Sequence, residues 1–235
     1  MLYAICDCDN CFVSCERVFR PDLEGRPVVV LSNNDGCIVS RSREAKAIGV
    51  KMGMPLYQMR RTFGDTVVAL SSNYELYADM TARVMSLLRK EVAEFYRYSV
   101  DEAFCILPSH TPESAKVWGE KMNRHILRAT GMPVSIGVAP TKTLAKIAAH
   151  FAKTYPGYHG CCLITDDEAR IKALSLTTVG DVWGIGRHLR PRLERSGIRT
   201  ALDFAQRDEE WIKGNCNITV ERTWRELNGQ DCIPE

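Results

Sequence analysis

The stretch that decides the fold is residues 5–16, ICDCDNCFVSCE, in which four cysteines surround two aspartates. Leu2–Cys8 has the apolar character of a short buried strand, and successive residues of a strand point to opposite faces. Cys6 and Cys8 therefore share one face, and Asp7 shares the other with Asp9. A carboxylate inside an apolar strand is costly to bury unless it has a cation or hydrogen-bond partners. Asp7 is thus the first candidate functional residue.

The cysteines of this stretch are separated by one, two and three residues. Zinc sites usually combine pairs of cysteines two residues apart with a second pair or with histidines, and ferredoxin runs repeat the two-residue gap. Because the spacing fits neither pattern and cysteine buries readily as a small apolar residue, we favour a scaffold role for these thiols over a thiolate metal site. The residues concerned are Cys6, Cys8, Cys11 and Cys15.

The composition is that of an ordinary globular chain of 235 residues with a net charge of +2. No stretch approaches the roughly 18 apolar residues of a membrane span, and no basic leader precedes an apolar run at the start. Ten cysteines in such a chain are read as reduced thiols. These features predict a cytoplasmic protein with no membrane partner. Since the overall charge is small, a nucleic-acid partner requires local clusters, and 187–199 holds five arginines.

Apolar periodicity predicts an α+β fold in which a mixed β-sheet carries helices on one face. A small sheet unit at 27–40 and a basic helix at 41–48 lie in a compact insertion. A helix begins at Ser72, which forms a capping box with Glu75. Further strands are predicted at 98–107 and 133–139, and further helices at 112–129 and 141–154. The chain is helical from about Asp166 onward.

Residues 98–107, YSVDEAFCIL, are predicted to be one strand with Asp101 and Glu102 in its middle. If this strand neighbours the first one, Asp7, Asp101 and Glu102 converge at one edge of the sheet. Carboxylates of this kind suit Mg²⁺ or Mn²⁺. Such an arrangement is used for two-metal phosphoryl or nucleotidyl transfer.

The helix at 141–154 has one cationic edge. Lys142, Lys146, His150 and Lys153 recur at helical spacing opposite apolar residues. From the pattern alone, a solvated face is the favoured interpretation.

The motifs together resemble the Y-family translesion DNA polymerases, and within them the UmuC subfamily, the catalytic subunit of bacterial DNA polymerase V. The resemblance is carried by CDCDNCFVSCE, PVVVLSNNDGCIVSRSREAKAIGVKMGMP, SSNYELYADM, YSVDEAF, GVAPTKTLAKIAAHFAK and VWGIGRHL, which run in family order over almost the whole chain. It implies a catalytic palm at 1–10 and 71–165, a small α/β fingers domain at 11–70, and an all-α thumb at 166–235 with a helix-hairpin-helix. In that family a little-finger domain follows the thumb, so we expect this chain to be a fragment that lacks it.

The resemblance also implies the roles of individual residues. Asp7, Asp101 and Glu102 would bind two Mg²⁺ ions, for which Mn²⁺ is a possible substitute, with the backbone carbonyl of Cys8 as a further ligand. Phe12 would be the steric gate against a 2′-hydroxyl, beside Cys11, which stands where an aromatic residue is frequent. The remaining expectations are triphosphate contacts from Ser40, Arg43, Lys46 and Lys153, and DNA-backbone contacts from Gly184, Ile185, Gly186, Arg187 and Arg190.

The function implied is template-directed, error-prone damage-bypass synthesis from dNTPs on primer-template DNA, in DNA repair and the SOS response. Expected partners are a UmuD-type accessory protein, a recombinase filament and a sliding clamp. Two alternatives stay open at this stage. One is a nucleotide cyclase with a related palm, and the other is a catalytically silent DNA-binding relative.

Overall fold

The computed structural model of the protein describes residues 1–234 and divides the chain into two compact units. The first unit consists of Met1–Asp7, Leu88–Arg124 and the chain from Val134 onward. The second consists of Cys8–Leu87 and His125–Pro133. The division of the chain into palm, fingers and thumb stays a prediction.

The strands are β1 (Leu2–Cys8), β2 (Val28–Leu31), β3 (Ile38–Arg41), β4 (Val68–Leu70), β5 (Glu94–Arg97), β6 (Glu102–Leu107), β7 (Val134–Ala139) and β8 (Cys161–Leu163). The α-helices are α1 (Cys11–Phe19), α2 (Arg43–Ala47), α3 (Leu56–Phe63), α4 (Tyr74–Glu91), α5 (Pro112–Thr130), α6 (Lys142–Thr154), α7 (Asp167–Leu176), α8 (Arg190–Arg195), α9 (Ala201–Ala205), α10 (Glu209–Asn215) and α11 (Ile218–Leu227). Short 3₁₀ helices lie at Pro21–Leu23, Gly64–Thr66, Pro156–Tyr158 and Val179–Asp181.

The sheet of the first unit has the strand order β5-β6-β1-β7-β8. Strand β6 pairs antiparallel with both β1 and β5, whereas β7 and β8 are parallel. The predicted α+β class with a mixed sheet is therefore confirmed, and the predicted neighbourhood of the two acid-bearing strands is correct.

Helices α5 and α6 lie against different faces of this sheet. A Cβ at Gly137 of β7 would stand 2.1 Å from the backbone oxygen of Ala145, so α6 packs directly on that residue. The side chain of the preceding Ile136 lies 3.6 Å from the Cβ position of Gly119 in α5. Because neighbouring strand residues point to opposite faces, helices cover both faces here instead of the single face that the sequence predicts.

The helical region after Asp166 shares a core with α6 and one face of the sheet. Tyr3 and Phe104 of the sheet and Phe151 of α6 belong to the same buried cluster as Leu174 and Phe204 of the later helices. The predicted all-helical character of this region agrees with α7–α11.

The second unit contains a three-stranded sheet in the order β3-β2-β4. Strand β2 pairs antiparallel with β3 and parallel with β4. Val29 and Leu31 of β2 form a buried cluster with Val50 and Met59.

Two local predictions are wrong in detail. The helix expected at Ser72 begins at Tyr74, and its first turn is capped by Asn73, whose Oδ1 accepts a hydrogen bond from the backbone N–H of Leu76 at 3.1 Å. The segment 98–107, expected to be a single strand, is instead the turn and the second strand of a hairpin. Residues 98–101 form the turn, and β6 starts at Glu102. The strand that precedes the turn, β5, was not predicted.

No helix in the described part of the chain is long and apolar enough to cross a lipid bilayer.

Candidate catalytic site

Two acids face each other across neighbouring strands of the first unit. Asp7 of β1 and Glu102 of β6 are direct partners in the antiparallel register. Directly opposed residues of such a pair project to the same face of the sheet, and like charges there repel each other. Both side chains are largely shielded from solvent, with 26% of Asp7 and 18% of Glu102 exposed. The arrangement therefore needs positive charge close by.

Helix α6 supplies that charge from two positions of its cationic edge, Lys146 and Lys153. The Nζ atom of Lys153 lies 2.9 Å from Oδ1 of Asp7, and the Nζ atom of Lys146 lies 2.7 Å from Oε1 of Glu102. Thr141 caps this helix by accepting a hydrogen bond from the backbone N–H of Leu144. The solvated face favoured from the pattern is therefore wrong for these two lysines.

The first residue of the same cationic edge is buried. Lys142 is only 3% exposed, donates a hydrogen bond to the backbone oxygen of Ile233 at 2.7 Å, and lies 4.6 Å from the centroid of the Tyr3 ring. His150, by contrast, is exposed. Only that part of the edge behaves as a solvated face.

Asp101 lies in the turn between β5 and β6, and Ser99 organises this turn. The Ser99 hydroxyl donates to Oδ1 of Asp101 at 2.7 Å and accepts the backbone N–H groups of Asp101 and Glu102 at 3.3 and 3.1 Å. A serine that bonds neighbouring backbone groups favours a turn over a continuous strand, which explains why the strand prediction failed here.

The donor chemistry of this sheet end suits a hard cation, but the predicted convergence of the three acids is not formed. Within residues 1–234, no group of three or more His, Cys, Asp or Glu side chains could hold a metal ion as placed. Two of the acids hold lysine ammonium groups instead, so their carboxylate oxygens already attract cations. The metal roles of Asp7, Asp101 and Glu102 and of the Cys8 carbonyl stay predictions.

The cysteines of the opening stretch are buried free thiols, as expected of scaffold residues. Cys6 and Cys8 are each 1% exposed, and Cys15 is fully buried. A side-chain hydrogen bond with Cys11, together with burial, raises the pKa of the Cys15 thiol far above its usual range. A protonated thiol is a poor metal ligand, because the thiolate is the form that binds metals.

The predicted gate residue belongs to the second unit and is held by aromatic neighbours. The Phe12 ring stacks on Tyr77 at a centroid distance of 4.5 Å and meets the edge of Tyr74 at 5.7 Å. Tyr77 donates a 2.6 Å hydrogen bond to Glu16, and burial together with this bond raises the pKa of Tyr77. Cys11, beside Phe12, is 6% exposed. The ring of Phe12 thus has a fixed orientation at the start of α1.

The three predicted triphosphate contacts in this unit differ in exposure. Ser40 is 6% exposed and accepts the backbone N–H of Val13, which fixes the start of α1. Lys46 is exposed and its Nζ atom lies 2.5 Å from Oδ1 of Asn10. Arg43 is exposed at the start of α2.

The predicted hairpin at 184–186 follows the 3₁₀ turn Val179–Asp181. Gly184 has a φ of +87°, and a Cβ there would stand 2.9 Å from Oγ1 of Thr223, so glycine is required. Ile185 is buried, which leaves its backbone alone available to a partner, whereas Arg187 and Arg190 are exposed. Arg190 forms an ion pair with Glu194 at 2.7 Å. The DNA contacts of this turn stay a prediction.

Lys146 is the residue of this site that the sequence interpretation missed. Its position in the LAKIA segment is one turn of helix from Lys142 and two from Lys153. Helical spacing alone does not distinguish these lysines from one another. Lys146 is distinguished only by the strand pairing that places Glu102 beside it.

Comparison with known proteins shows which class of protein has this fold and these paired acids. The chain belongs to the impB/mucB/samB family, whose sequence profile matches residues 6–150. This confirms the resemblance found from the motifs. Protein UmuC of Salmonella typhimurium is 43% identical over 235 residues, which cover 99% of this chain and 56% of that protein. DNA polymerase IV of Corynebacterium diphtheriae is 33% identical over 230 residues, 96% of this chain and 50% of that protein.

The fold itself matches a solved structure over the whole length of the chain. The crystal structure of DinB from Sulfolobus solfataricus superposes with a TM-score of 0.84 at 26% identity and covers 100% of this chain and 69% of that one. The chain spans about half the length of the curated relatives that it matches.

Proposed function

We propose that this chain is the catalytic part of an error-prone, damage-bypass DNA polymerase that adds deoxynucleotides to a primer 3′-hydroxyl in the cytoplasm. The observation that carries the proposal is the cross-strand pair of Asp7 and Glu102, two acids inside the region that the family profile matches, each of which is paired with a lysine of α6. Paired carboxylates on neighbouring strands beside cationic side chains suit a reaction on a polyanionic triphosphate.

The residues that would hold Mg²⁺ are Asp7, Asp101 and Glu102, together with the carbonyl of Cys8. When bound, the ions lower the pKa of the attacking 3′-hydroxyl and neutralise the charge on the departing pyrophosphate. Ser99 fixes the carboxylate of Asp101 by its 2.7 Å hydrogen bond. The chain needs no nucleophile of its own.

The remaining residues would position the substrates. Lys153, Ser40, Arg43 and Lys46 would contact the triphosphate, and Phe12 would exclude a 2′-hydroxyl by steric overlap. The Gly184–Gly186 turn would approach a DNA phosphate through its backbone, with Arg187 and Arg190 beside it. A UmuD-type protein, a recombinase filament and a sliding clamp are the partners expected of a UmuC-like protein.

Primer extension with Mg²⁺ and deoxynucleotides tests the proposal. In a form of the protein that also carries the expected little-finger domain, extension should be lost in Asp101→Ala, while binding to primer-template DNA, measured by fluorescence anisotropy, stays largely intact because other groups position the DNA. Asp9→Asn is the matched control, since it changes an acid two residues from Asp7 that is not a predicted ligand, and it should retain extension.

Three results would contradict this assignment. Full activity in Asp101→Ala would exclude the acid from catalysis. Wild-type binding to DNA without any extension would favour a silent DNA-binding relative. Formation of a cyclic nucleotide from a triphosphate without primer would favour a cyclase.

A further inference from the structure

Trp183, a residue outside the predicted site, contacts the hairpin that leads to Glu102. It lies in the turn just before Gly184, and its indole N–H donates a 3.1 Å hydrogen bond to the hydroxyl of Tyr98. The two rings meet edge to face at a centroid distance of 5.5 Å. Tyr98 itself is four residues before Glu102 and packs against Phe104 of β6. The turn after Val179–Asp181 is therefore joined to the acid-bearing strand by a specific contact.

The ammonium group of Lys146 lies between these rings and the acid. Its Nζ atom is 4.6 Å from the Tyr98 centroid, 5.3 Å from the Trp183 centroid and 2.7 Å from Oε1 of Glu102. Both ring distances fall within the roughly 6 Å range in which a ring attracts a cation. Only 20% of the Lys146 side chain and 18% of the Glu102 side chain are exposed. The cation thus has one ionic partner and two aromatic partners.

A divalent ion that binds Glu102 changes the interactions of Lys146 with these partners. Lys146 and the ion then compete for the same carboxylate, and their charges repel each other over a short, poorly solvated distance. The two rings give the ammonium an alternative partner that is already in contact with it. Lys142, one helical turn earlier, also lies over a ring, but its hydrogen bond goes to a backbone carbonyl and it has no part in this competition.

We propose that Lys146 is the resident counter-ion of Glu102, and that a divalent metal ion must displace it toward the Tyr98–Trp183 pair in order to bind Glu102. The environment of Trp183, in the turn just before Gly184, consequently changes when the metal ion is bound. This inference rests on the proposed function, because it takes Glu102 as a metal ligand. It adds that Lys146 sets the metal affinity, and that the turn expected to contact DNA is linked to the acids through Trp183.

The test uses the 235-residue chain labelled with 5-fluorotryptophan and titrated with Mg²⁺. The chain has four tryptophans, so Trp183→Phe identifies the resonance of interest. Bound Mn²⁺ is measured separately by electron paramagnetic resonance, without any assay of activity. The variants are Lys146→Met, which removes the charge at similar length, and Lys146→Arg, which keeps it. Lys172→Met, an exposed lysine of α7, controls for the loss of one positive charge.

The expected result is a saturable shift of the Trp183 resonance alone in the wild type. Lys146→Met should lose that shift and bind Mn²⁺ at least tenfold more tightly, whereas Lys146→Arg and Lys172→Met should keep the wild-type affinity. Metal binding that is unaffected or weakened in Lys146→Met, or that leaves the Trp183 resonance unmoved in the wild type, would overturn this inference and leave the proposed function standing. Absence of Mn²⁺ binding in both the wild type and Lys146→Met would overturn both.

Discussion

Glu226 of α11 is the buried carboxylate whose replacement should cost the most stability. It is fully buried, and its Oε2 atom accepts the backbone N–H of Thr143 at 2.8 Å and the Thr143 hydroxyl at 2.7 Å. Its Oε1 atom accepts the backbone N–H of Ile233 at 3.1 Å. Because Thr143 is itself fully buried at the start of α6, its two donors have no access to water when the carboxylate is removed.

The expected losses in the free energy of unfolding follow from the different donors that the two carboxylate oxygens accept. Glu226→Ala leaves two buried donors unpaired at about 1–3 kcal/mol each and opens a cavity, so it should lower the free energy of unfolding by about 3–5 kcal/mol. Glu226→Gln keeps an oxygen for both Thr143 donors and places an amide N–H against that of Ile233, so the loss should be only about 1–2 kcal/mol. Glu221→Gln, on the same helix, removes a partly exposed ion pair with Arg225 and should cost less than about 1 kcal/mol.

Urea unfolding followed by tryptophan fluorescence measures these differences. All four tryptophans lie in the same unit as Glu226, so the signal reports the unit that the substitution affects; they are Trp118, Trp183, Trp211 and Trp224. Comparison at equal m-values separates a change of stability from a change of cooperativity. A loss below about 1 kcal/mol in Glu226→Ala, or a larger loss in the Gln variant than in the Ala variant, would refute this account.

Three further results are expected. Phe12→Ala removes the ring that stacks on Tyr77 and, in a form of the protein active in extension, should raise the ribo-to-deoxynucleotide ratio of kcat/KM; an unchanged ratio would leave Phe12 a packing residue. Burial raises the pKa of the Cys105 thiol to about 12, so the folded state keeps a proton that the unfolded state loses above its usual pKa of 9.0. Stability should therefore fall as pH rises from about 9 to 12, and urea midpoints should show a shallower fall in Cys105→Ala. Gly137→Ala brings a Cβ to 2.1 Å from the α6 backbone and should cost about 3 kcal/mol or more by thermal unfolding, whereas Gly214→Ala meets nothing within 4 Å and should not destabilise.

The sequence predicts well where apolar periodicity is long and uninterrupted. Helices α5 and α6 and strand β7 lie within a residue or two of their predicted bounds, because each buries a continuous apolar stripe. Helix α1 was not predicted. It begins directly after Asn10, whose left-handed backbone (φ 48°) belongs to a two-residue turn after β1, and no glycine or proline in the sequence marks this turn.

The candidate site shows the same limit at the level of single residues. Asp7 and Glu102 could be predicted, since each interrupts an apolar run. The turn position of Asp101 could not, because the apolar residues Tyr98 and Val100 imitate a strand while the hydrogen bonds of Ser99 close a turn. Lys142 and Lys146 share one helix edge, and their different partners depend on tertiary contacts that helical spacing does not encode.

Lys146 and Lys153 are seven residues apart in α6, so the helix holds their ammonium groups at a fixed separation. Two turns of α-helix separate their Cα atoms by about 10.5 Å, and each further residue rotates a side chain by about 100°. An insertion or deletion of one residue inside this interval would turn one ammonium group away from its acid, although the helix itself could re-form. The same length change just after Tyr158 would fall in a surface turn. Natural variation in chain length should therefore be absent from the interval 146–153 and tolerated at 159–160.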